Sequence, residues 1–145
     1  MNVQSILSVK GTEVVTIAPS ATLAEATALL RERGFGALIA SVDGASLDGI
    51  VSERDIVRAL ADQGADALGC DVDSVMSSEV FTCAPGDSIG DLMSLMTQRR
   101  IRHLPVLDGG ALGGMVSIGD VVKFRLGELE RENNQLHEYI QGNVG

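Results

Sequence analysis

Three blocks of this sequence occur twice in the same order, and the duplication limits the fold more than any other feature. Val3-Gln4-Ser5-Ile6-Leu7-Ser8 matches Val72-Asp73-Ser74-Val75-Met76-Ser77, and Val15-Thr16-Ile17-Ala18-Pro19 matches Phe81-Thr82-Cys83-Ala84-Pro85. Gly49-Ile50-Val51-Ser52-Glu53-Arg54-Asp55 then matches Gly114-Met115-Val116-Ser117-Ile118-Gly119-Asp120. The offset between partners changes only through small differences in loop length. A repeat this short struggles to bury both faces of its helices alone, so two copies are expected to share a core.

Each copy reads as β-α-β-β-α. Val14 to Ile17 and Val80 to Cys83 are short extended segments running into Ala-Pro, where proline biases the preceding residue away from helix. Thr22 to Glu25 has capping-box spacing, and Ser88 to Asp91 echoes it. Leu23, Ala26, Leu29 and Leu30 form one apolar helix face; Ile89, Leu92, Leu95 and Met96 form the other. Gly34 is expected to stop the first helix. Strands follow over Ala37 to Val42 and Gly49 to Ser52, and again over His103 to Leu107 and Gly114 to Ser117, with Asp-Gly turns between. Helices from Arg54 to Ala61 and from Val121 to Leu126 close the units. The expected architecture is mixed α/β (α+β). Unit 1–62, linker 63–71 and unit 72–126 are packed pseudo-symmetrically through their sheets, and an amphipathic helix occupies 127–145.

Composition narrows the functional classes. Aromatic residues are 3% of the chain, with no Trp, so the core must be aliphatic and the stacking platforms of nucleic-acid binders are scarce. A formal net charge of −9 opposes a phosphate backbone while leaving room for a small anion in a pocket. No nucleic-acid or membrane partner is expected. No basic segment followed by a long apolar run opens the chain, which is read as cytoplasmic. Cys70 and Cys83, the two cysteines, are read as reduced thiols.

Ser52 to Asp55 and Ser117 to Asp120 sit where a strand meets a helix. Each is a capping box in its own right. Each also lies at a helix start, where open backbone N–H groups and the dipole favour phosphate, and a carboxylate one turn in suits the two hydroxyls of a ribose. Metal-ligand spacings, a GxSxG elbow and a GxxxxGK[ST] loop are all missing from the sequence. A Ser-His-Asp reading of His103, Ser117 and Asp120 therefore has little support, and a non-enzyme is expected.

The duplicated Gly-x-Val-Ser-x-x-Asp ends, the Val-x-Ser-Val-Met opening, the Pro after each first strand and Arg102-His103-Leu104-Pro105-Val106 together resemble the CBS (cystathionine-β-synthase) domain family in its freestanding tandem form. The resemblance runs to about Phe124. It implies a regulatory pair whose clefts bind AMP, ADP, ATP, NAD(H) or S-adenosylmethionine. It further implies that Asp55 and Asp120 hold ribose hydroxyls, with Ser52 and Ser117 and the helix-start positions Arg54, Ile118 and Gly119 beside ribose and phosphate. Thr16, Ile17, Ala37 and Leu38 would frame one adenine; Thr82, Cys83, His103, Leu104 and Pro105 would frame the other. Arg102 and His103 are read as facing ligand, and Arg99 and Arg100 as a solvated helix end. A scaffold with empty clefts is the rival reading.

Past the resemblance, Val122, Leu126, Leu129, Asn133, Leu136 and Ile140 follow a 4-3-4-3-4 spacing, a heptad seam with Asn at one core position. The tail is expected either to pair with a second copy or to fold back on its own unit. A homodimer and an effector protein acting in trans are the expected partners.

Overall fold

The structure, a computed structural model, describes residues 1–144. In chain order the elements are α1 (Val3–Lys10), β1 (Thr16–Ile17), α2 (Leu23–Arg33), β2 (Ala37–Ala40), β3 (Gly49–Ser52) and α3 (Glu53–Gln63). Then follow α4 (Ile89–Arg99), β4 (His103–Asp108), β5 (Ala111–Ser117) and α5 (Ile118–Val144). Strands β1, β2 and β3 make one sheet, parallel then antiparallel, and β4 and β5 make an antiparallel pair.

The duplication is visible down to single hydrogen bonds. Gly36 O accepts from Glu53 N at 3.0 Å and Arg102 O accepts from Ile118 N at 2.8 Å, so each closing helix starts against the strand entry of its own unit. Four capping boxes form in both directions, at Asn2–Ser5, Thr22–Glu25, Ser52–Asp55 and Ser117–Asp120. At Ser88 only the Ser88 side chain, accepting from Asp91 N, is engaged.

Two expected elements differ. Val80 to Cys83 is not a strand: only Cys83 bridges in parallel to Val106, with Cys83 N donating to Pro105 O and Leu107 N donating to Cys83 O. Ladder pairing cannot continue past Ala84, because Pro85 lacks an N–H. The stretch before Cys83 stays partly exposed at the edge. Nor is there a break between residues 126 and 127, since α5 runs unbroken from Ile118. The segment 63–71 is more than a tether: Gly64–Gly69 is a 3₁₀ turn whose Ala67 is fully buried, and Cys70 O accepts from Leu23 N.

The sharing of burial takes a specific form. Each unit's leading segment completes the core of the other unit. Val3, Ile6 and Leu7 from α1 pack with Cys83, Ile89, Leu92, Met96, Leu104, Val106, Val116 and Val121. Val72, with Val75 and Met76 beside it, packs into the first unit around Leu23, Leu38, Val51 and Ile56. Glycine opens the way on both sides. A Cβ on Gly114 would lie 2.9 Å from Leu7, and one on Gly49 would lie 2.6 Å from the Met76 sulfur. Backbone bonds fasten the exchange, with Val3 N donating to Asp87 O and Ser77 N paired with Ile50 O. Both cores are aliphatic, and Cys70 and Cys83 are free thiols.

Because the units close each other's cores, they are expected to unfold as one. Ile6→Ala should cost about 2–4 kcal/mol and lower the urea midpoint of both halves in a single transition. Two separated transitions in circular dichroism would show that the exchange does not couple the units.

Candidate functional site

A cleft of about 570 Å³ opens where the two units meet, within the roughly 300–1,000 Å³ of small-molecule sites. One wall is the N-terminus of α3, with Ser52, Glu53, Arg54, Asp55, Val57 and Arg58. Gly36, Ala37 and Ile50 form the floor. The exchanged segment of the second unit supplies Ser77, Glu79, Val80 and Phe81, and the entry to β4 supplies Arg100, Ile101, Arg102 and His103. Four guanidinium groups (Arg54, Arg58, Arg100, Arg102) thus face three carboxylates (Glu53, Asp55, Glu79), a local balance of +1 on a chain of net −9. An anion meets attraction here and repulsion over most of the remaining surface.

Asp55 holds the start of α3. Its Oδ2 accepts from Ser52 N at 2.9 Å and from Ser52 Oγ at 3.0 Å, while Ser52 Oγ accepts from Asp55 N at 3.2 Å. All these bonds to the carboxylate fall on one oxygen, so Oδ1 keeps its acceptor capacity.

At the mirror position the bonds to Asp120 also fall on Oδ2, but a lysine is among the donors. Asp120 Oδ2 accepts from Ser117 N at 2.9 Å and also from Lys10 Nζ, which donates to Met115 O at 2.7 Å as well. Partial burial would raise the Asp120 carboxyl, but the Lys10 ammonium and the Ser117 amide outweigh it and hold the group below its usual range. In the repeat Lys10 aligns with Glu79, so the equivalent place in the first cleft carries no ammonium.

Ala37, Ser52, Arg54, Asp55, Arg102 and His103 are brought together in the cleft. Ile118 joins Arg54, Arg100 and Arg102 in a shallower depression alongside it. Thr16, Thr82 and Gly119 are outside the cleft lining; Ser117 and Asp120 sit with Lys10. Ile17, Leu38, Cys83, Leu104 and Pro105 are buried, the first four within the hydrophobic cores. Burial, and next the charge of Asp87, pushes the Cys83 thiol up to about 11. A group so held stays protonated and unreactive.

Phe81, Glu79 and Arg100 were not singled out as site residues from the sequence. Phe81 lay hidden in an expected strand; its ring is about half exposed, with the Arg99 guanidinium 5.2 Å from its centroid. Arg100 left a readable signal. It aligns with Gly34, and both residues cap their helix in the left-handed region, at φ 53 for Arg100 and φ 70 for Gly34. An arginine where the repeat uses glycine costs about 1–2 kcal/mol, and such strain concentrates at functional sites.

His103 lies between the two positions. Burial, and next the Lys10 charge, push its pKa below 6.5, against the pull of Asp120 and Glu53. Its imidazole is therefore held neutral at pH 7.

Comparison with known proteins agrees with this fold. The family model of the CBS domain matches twice, at residues 7–62 and 72–127. The mitochondrial CBS domain-containing protein CBSX3 of Arabidopsis thaliana is 37% identical over 125 residues, 83% of this chain; the chain spans 61% of that protein's length. A crystal structure of a CBS-domain containing protein from Agrobacterium tumefaciens superposes with a TM-score of 0.84 at 39% identity, covering 86% of this chain and 99% of that one. The CBS domain pair of protein MJ0100, solved with methylthioadenosine and S-adenosylmethionine, shares the fold at a TM-score of 0.78 and 22% identity, covering 88% of this chain and 98% of that one.

Two outcomes are expected. Arg100→Gly should raise unfolding stability by about 1 kcal/mol in urea, by relieving the left-handed arginine; no gain would mean that the strain is already offset locally. Because the folded pKa of His103 is lowered, the unfolded chain protonates first. Stability is therefore lost as pH falls below 6.5 toward the folded value. His103→Gln should flatten that part of the pH–stability curve, and an unchanged slope would assign the loss elsewhere.

Proposed function

The chain belongs to the CBS domain family, with two of its units in tandem, and on that premise we propose that it is a non-catalytic regulatory module for an adenine nucleotide. AMP, ADP, ATP or NAD(H) binds in the cleft between the units, so that the chain reports energy or redox state to an effector protein in trans. The observation that carries the reading is the cleft itself: a helix N-terminus, an unsaturated carboxylate and a cluster of guanidinium groups converge in a space of about 570 Å³.

In this reading Asp55 Oδ1 accepts from the ribose hydroxyls, and Ser52 and the open amides of α3 lie beside the phosphate. Arg100 and Arg102 neutralise phosphate charge from the opposite wall. Phe81 offers an aromatic face to the base. The adenosine-containing ligands of the MJ0100 pair support the choice of base and sugar, and they make S-adenosylmethionine the alternative ligand. The Lys10–Asp120 pair leaves the second position a poor ribose site, so one nucleotide binds per chain. The chain works in the cytoplasm as a homodimer.

A thermal-shift panel of AMP, ADP, ATP, NAD, NADH and S-adenosylmethionine, followed by calorimetry, tests this. At a hundredfold excess over Kd the right ligand contributes about 2.7 kcal/mol, or roughly 5–10 °C in Tm. Asp55→Ala should abolish the shift, and Asp120→Ala should leave it in place. Flat curves across the panel would overturn the nucleotide reading in favour of a scaffold with empty clefts.

A further inference from the structure

Helix α5 touches the body with one side only. Val121 is fully buried, and Phe124 and Glu128 are partly buried on the same side. Val122, Leu126, Leu129, Leu136 and Ile140 are between 44% and 59% exposed. In heptad notation Leu126, Asn133 and Ile140 occupy a, and Val122, Leu129 and Leu136 occupy d. The body-facing residues fall at c and f, on the far side of the helix from that seam. From Leu129 to Ile140 every residue is exposed, so this stretch does not fold back. Alone, such a segment is a marginal helix, and Gly127 within it costs about 1 kcal/mol.

We propose that a second copy of this chain covers the seam, α5 against α5, as a parallel, in-register two-stranded coiled coil. This rests on the homodimer part of the reading above and not on its nucleotide part. Two features select this occupant over another amphipathic helix. Asn133 meets the partner's Asn133 only in the parallel, unshifted register, where the two amides hydrogen-bond. Any other alignment sets the amide against an aliphatic side chain and leaves it unpaired.

The flanking charges also suit a second copy. A parallel pair brings each g position to the e position five residues on in the other helix. Arg125 then faces the partner's Glu130, and Glu132 faces the partner's His137. An antiparallel pair sets g against g and e against e, which exchanges the Arg125–Glu130 contact for one between Arg125 and the partner's Glu132, so Asn133 decides the orientation and the Arg125–Glu130 contact reports it. Arg125, its side chain 42% exposed, is 3.8 Å from the largely buried Glu128 of its own helix, too far for a hydrogen bond. The seam also runs unbroken to the body, since Val122 and Leu126 line an open groove with Ile118. Pairing therefore brings two bodies side by side at one end of the coil.

Sedimentation equilibrium of the full chain tests the proposal. The wild type should be a dimer, and Leu129→Asp with Leu136→Asp should weaken dimerisation at least a hundredfold. The body's thermal unfolding should keep its cooperativity, because neither side chain touches the body. Arg125→Glu should weaken the dimer several-fold, and Arg125→Glu with Glu130→Arg should restore it to within about threefold. A dimer that survives both aspartates overturns the tail assignment while leaving the homodimer standing. Failure of the charge swap to rescue overturns the parallel register. A monomeric wild type overturns the homodimer and this inference together, without touching the nucleotide reading.

Discussion

The side chain of Leu7 rests where Gly114 leaves room for it, and that of Met76 rests where Gly49 does. These two contacts are the hinge pins of the structure. Remove α1 and the second unit loses Val3, Ile6 and Leu7 from its core; remove Val72 to Met76 and the first unit is left open beside Leu38 and Val51. Units of this size bury too small a share of their surface to stand alone. The chain solves the problem by trading leading segments rather than by adding strands, and both glycines are fixed by that trade.

The exchange also decides where a ligand could sit. Ser77 to Phe81 follow directly from the segment that closes the first unit's core, so they arrive at the start of α3, on the first unit's side of the boundary. Arg100, Arg102 and His103 reach the same place from the turn between α4 and β4 and the first residue of β4. Every wall of the cleft thus depends on how the two units are docked. A molecule held there has different contacts in any other docking, which is the condition for a binding event to shift an equilibrium between arrangements.

Much of this was legible in the sequence, and the reasons for the rest are physical. Duplicated blocks and capping boxes report local geometry, so α2, α3 and the β2–β3 turn came out close to their observed limits. Ser52, Asp55, Arg102 and His103 converge for the same reason, because strand–helix junctions are local. Which unit a leading segment packs against is a long-range fact. Val3 and Val72 carry the same apolar pattern whichever core receives them, and α1 went unread as a helix that serves the other unit. Leu38 and Leu104 were placed by an adenine because strands line the clefts of the family, but alternate residues of a strand face opposite ways, and these two face the cores.

The duplication is also where the halves diverge, and three of the differences, each involving a charge or a glycine, set the two carboxylates apart. Lys10 stands where the repeat has Glu79, Arg100 where it has Gly34, and Gly119 where it has Arg54. Each exchange leaves the aliphatic core untouched, so the fold tolerates it at little cost. Together they gather guanidinium groups around Asp55 and set an ammonium on Asp120. Asp120, like Asp55, takes its bonds on Oδ2, but its charge is already met by the Lys10 ammonium, whereas no ammonium stands beside Asp55. Two scaffolds built alike therefore present one carboxylate without a lysine beside it and one whose charge is met by an ammonium, and the asymmetry lies in three side chains rather than in the backbone.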